Sequence, residues 1–211
     1  MKKFAILLIL FNVSITAFAQ SYIGPQIGLG FITIGDRALT KDFKIKPSGV
    51  ETQIGAAFNR ELSPFTSLRA GLGYSFQDFE YSTNNSVNTP PLKDSMAIIK
   101  SQFVNINSGL LFTLFDEGVH SIRPYGSINL GFSILADNRS TEELTPYTMN
   151  KIELSNLKLT GGLGAGAFMK LSEFTRVSLG INYDRSFTEI FKNSDVRQNR
   201  IQALLEVSFQ L

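Results

Sequence analysis

From Val50 to Arg60 the chain alternates residue by residue. Val50, Thr52, Ile54, Ala56 and Phe58 fall on one face, and Glu51, Gln53, Gly55, Ala57 and Asn59 on the other. The same period returns from Leu68 to Gln77. It returns again at the end, where Ile201, Ala203, Leu205, Val207, Phe209 and Leu211 alternate with Gln202, Leu204, Glu206, Ser208 and Gln210. Successive side chains of a strand point to opposite faces, so a period of two prescribes two-faced β-strands, and helical spacing fits none of these segments. Counting them predicts eight strands, at 22–34, 48–60, 67–80, 101–115, 122–135, 156–170, 175–189 and 199–211. Each is longer than the ~9–11 residues that a tilted strand needs to cross a bilayer.

The connections sort by length. Those at 35–47, 81–100, 136–155 and 190–198 are long and polar, and those at 61–66, 116–121 and 171–174 are short. Long loops on one side and tight turns on the other describe an outer-membrane barrel. The predicted fold is therefore all-β, an eight-stranded antiparallel up-and-down transmembrane β-barrel. An even strand count puts both termini on the short-turn side, the periplasm.

Composition decides which face meets lipid. The polar face is rich in glycine: Gly28, Gly30, Gly55, Gly71, Gly73, Gly162, Gly164, Gly166 and Gly180. A solvated face would carry lysine and glutamate, whereas a narrow lumen needs small residues beside large ones. The apolar face must be free of charge at mid-membrane, where a lysine or arginine costs about 2–4 kcal/mol. Arg60, Arg185 and Asp78 share its parity but lie near strand ends. The lumen-facing set contains Glu51, Arg69, Arg123, Lys158, Lys170, Arg176, Asp184 and Glu206. Buried charges of both signs are expected to pair, with Glu206 bridging some of the four cations at the periplasmic half and Glu51, Lys158 and Asp184 grouped higher up. Eight strands enclose just enough room for side chains, so the set reads as a packed polar plug that fixes the fold, in preference to a gate or an ion path.

The N-terminus, "MKKFAILLILFNVSITAFAQ", has two lysines, an apolar run and a small-x-small site at Ala17-Phe18-Ala19. These are the parts of a secretory signal peptide, expected to occupy residues 1–19 and leave residues 20–211 as the barrel domain. Loss of Lys2 and Lys3 takes 20 basic residues to 18, against 18 acidic ones. A neutral mature chain does not point to nucleic acid. Without cysteine, an exported chain has neither disulfides nor a lipid-bearing residue.

One phrase occurs twice. "LSPFTSLRAGLGY" (Leu62–Tyr74) and "LSEFTRVSLGINY" (Leu171–Tyr183) share Leu, Ser, Phe, Thr, Gly and Tyr at equivalent positions. Both sit at a short turn and climb the following strand. They mark either a duplicated half-barrel or one local demand met twice, with Phe65 and Phe174 at one membrane interface and Tyr74 and Tyr183 at the other, as aromatic girdles require. Phe58 and Phe132 fit the lower and upper girdles.

With its signal peptide, eight amphipathic strands, glycine-alternating segments such as "TGGLGAGAFMKLS" (Thr160–Ser172) and "SLGINYDRSF" (Ser178–Phe187), and the strand-final "ALLEVSFQL", the whole mature chain resembles the small outer-membrane β-barrel proteins of Bacteroidota, the group that includes PorT-like proteins. Such barrels often end on an aromatic residue read by the insertion machinery; this chain ends on Leu211, with Phe209 on the same face. The resemblance implies service to protein secretion, and no residue singles that role out.

The functional expectation is a structural, surface-binding or secretion-accessory barrel that is not a general porin. Its expected partners are outer-membrane lipid and lipopolysaccharide, the barrel-insertion machinery, and an extracellular or secretion-system protein met through the long loops. It is expected to be a monomer without cofactor or metal. Two alternatives are carried. A soluble lipocalin-like carrier would place the apolar face inside. A lipid-modifying enzyme would need serine or histidine near the outer leaflet, and the one histidine, His120, falls in the short turn "FDEGVHSI" with Asp116 and Glu117. With a single histidine and no cysteine, a histidine–cysteine metal site cannot form. "GGLGAG" lies inside a strand and opens no helix, so it is not a dinucleotide fingerprint. Asp94-Ser95-Met96 matches a short O-glycosylation signal.

Overall fold

The computed structural model describes residues 20–34, 48–82, 96–114, 122–142, 154–190 and 197–211. The signal peptide at 1–19, His120 and Ser95 lie outside these residues. The eight strands are β1 (Ser21–Ile34), β2 (Ser48–Ser63), β3 (Thr66–Ser82), β4 (Met96–Thr113), β5 (Ile122–Glu142), β6 (Leu157–Lys170), β7 (Thr175–Ser186) and β8 (Gln198–Gln210). Each pairs antiparallel with the next, and β8 returns to β1, so the sheet closes on itself.

The register fixes the barrel's dimensions. A path from Tyr22 through its successive partners Asn59, Arg69, Gly109, Asn129, Gly162, Asp184 and Arg200 returns to β1 at Ile32 rather than Tyr22. The stagger, 32 minus 22, is ten residues. With a rise of ~3.3 Å and a strand spacing of ~4.8 Å, that stagger over eight strands tilts them by about 40°. At this tilt about ten residues cross the hydrocarbon, and β3, β4 and β5, with 17, 18 and 21 residues, run well beyond it.

The two faces are partitioned inside out relative to a soluble protein. Phe31, Leu72, Leu130, Leu163, Leu179 and Ile181 stand exposed on the outer wall, while Glu51, Gln53, Asn59, Gln77, Gln202 and Glu206 are buried inside. An apolar belt of this extent is covered by lipid, not water. The soluble-carrier alternative, which needs the opposite partition, is thereby set aside. Past the girdle of Tyr74 and Phe76 the outward positions turn polar: Asp78 faces Lys100 across the β3–β4 ladder, and Gln102 accepts from Tyr74 Oη. Between Gln102 and Phe103 the β4–β5 register slips by one residue, leaving Ala136 as the extra residue of a bulge. Bulges bend a strand, and this one falls where β5 leaves the membrane band.

The repeated phrase has a structural cause. In both copies the serine hydroxyl accepts from the phenylalanine amide two residues on, Ser63 from Phe65 and Ser172 from Phe174, each at 3.3 Å. In both, the phenylalanine carbonyl accepts from the neighbouring strand, from Thr113 N at 2.9 Å and from Gln210 N at 2.8 Å. In both, the closing tyrosine donates to an amide oxygen on the next strand, Tyr74 to Gln102 and Tyr183 to Asn199. The phrase thus encodes a serine-braced turn, an interface aromatic and a strand of membrane-crossing length.

Candidate functional site

The lumen is filled in layers, and alternation alone supplies its lining: even positions on β1, β6, β7 and β8, odd positions on β2, β3 and β4. At the short-turn end an aromatic layer forms where Tyr125 stacks on Phe168 with centroids 4.5 Å apart, beside Leu111. Tyr125 reaches across β6 and β7 over Gly166, where a Cβ would lie 2.4 Å from the backbone oxygen of Leu179 and 2.6 Å from Tyr125 Oη.

Above this layer lies the lower charge cluster. Arg69 Nη2 donates to Glu206 Oε2 at 2.6 Å and to Gln26 Oε1 at 3.0 Å, and Asn59 Nδ2 donates to Glu206 Oε1. Glu206 is 1% exposed, so its charge has been taken out of water and is sustained by these donors. Arg176 Nη1 donates to Glu61 Oε1 at 3.3 Å, and its guanidinium lies 4.0 Å from the Tyr22 ring and 4.3 Å from the Phe168 ring. Arg123 is buried nearby, and Lys170 is exposed at the rim.

The middle of the lumen is amide-lined. Gln202 Nε2 donates to Gln53 Oε1 at 2.9 Å, from β8 to β2 over the glycines of β1. Beside this bond lies a cavity of about 30 Å³ bordered by Asn107, Asn129 and Asn182 as well as by Arg69 and Arg200. At ~10–15 Å³ per water it has room for two or three molecules.

Arg200 organises the upper cluster. Its Nη1 donates to Glu51 Oε1 at 3.1 Å, and its Nη2 to Asp184 Oδ2 at 2.6 Å. Lys158 Nζ lies beside it, donating to Gln77 Oε1 and Gln198 Oε1 at 3.0 Å each and standing 3.8 Å from the Phe103 ring centroid. Ile32, Phe79, Phe103 and Ile190 bury an apolar layer over this end.

The structure therefore brings Arg69 and Glu206 together below. Above, it joins Glu51 to Asp184 through Arg200, with Lys158 held by neutral acceptors. Two members of these clusters, Arg200 and Glu61, are absent from the lumen set read from sequence. Arg200 has the even parity of Gln202 and Glu206, and Glu61 the odd parity of Gln53 and Asn59, so extending each alternation by one step finds them. Among the described residues no group of three His, Cys, Asp or Glu is placed to hold a metal.

A closed, eight-stranded, lipid-belted barrel with a polar interior is the architecture of outer-membrane proteins, and the family model for the outer membrane protein beta-barrel domain matches residues 4–209. The chain belongs to that family. No curated protein matches the sequence of this outer-membrane barrel. Among solved structures, the barrel is similar to the outer membrane protein OprG from Pseudomonas aeruginosa, at 12% identity over 92% of this chain and 96% of that one, with a TM-score of 0.62. It is also similar to the outer membrane protein AlkL, whose structure was determined in lipid bilayers, at 8% identity over 92% of this chain and 90% of that one, with a TM-score of 0.52. At these identities the likeness is one of fold.

Proposed function

We propose that this outer-membrane barrel is a non-conducting, non-catalytic element that acts through its wall and its long-loop end, in a structural, surface-binding or secretion-accessory role. The observation that carries this reading is the bridged lumen. Arg69–Glu206 reaches from β3 to β8, while Gln202–Gln53 and Arg200–Glu51 span from β8 to β2 over β1, and a small polar cavity lies beside them. A bore so filled with paired charges and amides leaves hydrated ions little room. Purified protein in planar bilayers is expected to give no stable single-channel steps, and steady currents from the unaltered chain would sink the proposal.

The part offered to a partner is the projection of β3, β4 and β5. β5 loses its β6 ladder at Ile134, yet runs on to Glu142 paired with β4 alone. In the orientation usual for such barrels the short turns and both termini face the periplasm and this projection faces outward. The resemblance to PorT-like proteins makes a secretion component one candidate partner. Asn138→Cys is expected to react with an impermeant maleimide on intact cells, and Glu173→Cys, in the β6–β7 turn, only after lysis. Reaction of Glu173→Cys on intact cells with Asn138→Cys silent would invert the topology.

A further inference from the structure

Past its bulge, β5 has one bonded edge and one bare one. Leu135 N donates to Asn156 O at 2.9 Å, the last backbone bond from β5 toward β6 among the described residues. The chain before Asn156 turns elsewhere: Leu154 is buried, and Ser155 N donates to Ile190 O at 2.7 Å. From Ala136 to Glu142 β5 has β4 on one side, and no strand pairs its other edge among the described residues.

The ladder decides which groups face that edge. In an antiparallel pair, alternate residues turn both main-chain groups toward the same neighbour. Leu135 turns its groups to β6. The extra residue Ala136 shifts the alternation by one, so Asp137 and Arg139 turn to β4, and Asn138, Ser140 and Glu142 turn to the bare edge. Asn138 shows what the edge lacks. Its N–H donates to the side chain before it, Asp137 Oδ1, at 2.8 Å. A carboxylate stands where the carbonyl of a further strand would.

Resting on the outward projection proposed above, we infer that the bare edge of β5 takes one more strand, an extended basic segment of a partner protein. Asn138, Ser140 and Glu142 each offer such a segment a donor and an acceptor, which recognise extended backbone whatever its sequence. Charge adds the preference. The projecting parts of β3, β4 and β5 carry Asp78, Glu80, Asp137 and Glu142 against Lys100 and Arg139, an excess of two negative charges. A strand that displaces the Asp137 carboxylate from Asn138 also gives it a new partner when it carries lysine or arginine there. A second copy fits badly. Side by side in one membrane, both β5 strands run the same way, so an antiparallel pair would need one barrel upside down. A parallel pair in register would set Asp137 against Asp137 and Arg139 against Arg139, like charges face to face. The chain's own residues 143–153 carry Glu143 and Glu153 against Lys151, a poor match to an acidic edge.

The test is exchange of backbone amides with solvent, read by nuclear magnetic resonance on the full mature chain in lipid nanodiscs. The probe strand is an alternating lysine–threonine octapeptide. The amides of Asn138, Ser140 and Glu142 are expected to exchange fast without it and to slow about tenfold once it occupies most barrels, because exchange then waits for its release. Those of Asp137 and Arg139, already turned to β4, are expected to stay as they are. The glutamate–threonine counterpart is expected to change none of the five. Ser140→Pro removes one edge N–H and leaves the β4 ladder whole. It is expected to abolish the slowing while keeping the compact form that migrates fast on unheated gels. Edge amides already slow without peptide would mean that the chain covers its own edge, and equal slowing by both peptides would mean adhesion blind to charge. Either result overturns the added strand, and so does a lysine peptide without effect. Asn138→Cys that still labels on intact cells would then leave the outward projection standing and remove only this mode of binding.

Discussion

Arg200→Met is expected to be among the most destabilising single changes in the lumen, lowering unfolding free energy by about 3–5 kcal/mol in urea titrations of micelle-bound protein. The reason is the state of its partners. Glu51 is fully buried and Asp184 nearly so, and both direct oxygens at this one guanidinium. Methionine retains much of the stem but takes away the cation that Asp184 faces and leaves Glu51 only the Lys158 ammonium, so the cost is that of the unbalanced charge more than of the missing bonds. The double variant Arg200→Met with Asp184→Asn is therefore expected to recover most of the loss, since the cluster then keeps one anion, Glu51, and one cation, Lys158, and has no net charge. Equal stability of the single and double variants would show that packing of the Arg200 stem, not its charge, is what the barrel needs.

Gly24→Ala is expected to abolish the compact, fast-migrating form seen on unheated gels, while Gly71→Ala retains it. Both glycines face the lumen from adjoining parts of the wall, so composition does not separate them. A Cβ on Gly24 would lie 1.8 Å from the carbonyl oxygen of Val207 and 2.6 Å from the Cα of Ser208, both backbone atoms of β8. Neither can swing aside as a side chain would. The same methyl on Gly71 meets nothing nearer than 3.6 Å. Gly24 is followed by Pro25, and the β1–β8 ladder skips this pair, passing from Ile23–Phe209 to Gln26–Glu206. The closing seam is thus narrow where it is also least bonded, and a wild-type gel shift from Gly24→Ala would mean that it opens more readily than its geometry allows.

Alternation made the eight strands legible because each must present lipid on one side and a confined lumen on the other. It stopped working where those two environments stop. β4 begins at Met96 and β5 ends at Glu142, several residues beyond the expected 101 and 135. The added stretch of β5, "ADNRSTE", carries no alternation of apolar and polar residues, so the period of two ends before the strand does. At the other end β2 continues to Ser63, and the turn is only Pro64 and Phe65, which is why Glu61 belongs to the lumen and not to a connection. Parity placed Glu206, Arg69 and Asp184 on the inner wall, but partners depend on stagger. Asn59 and Glu206 are 147 residues apart in sequence and meet only because the sheet closes ten residues out of step. Nothing local in the chain encodes that distance.

The inner face of β8 has a consequence for the order of assembly. Gln198 bonds Lys158, Arg200 bonds Glu51 and Asp184, Gln202 bonds Gln53, and Glu206 bonds Asn59 and Arg69. β8 therefore supplies one side of the bonds in both charge clusters and in the amide layer between them, besides pairing with β1 at separations such as Tyr22 to Gln210. Until it docks, Glu51, Lys158 and Arg69 line an open, wettable trough, and the first seven strands have two raw edges in place of a wall. Contacts of such long sequence separation form late and slowly. Wall closure and dehydration of the interior are then a single event, so a chain stalled before β8 is recognisable to the cell as both unsealed and wet, whereas a finished one is neither.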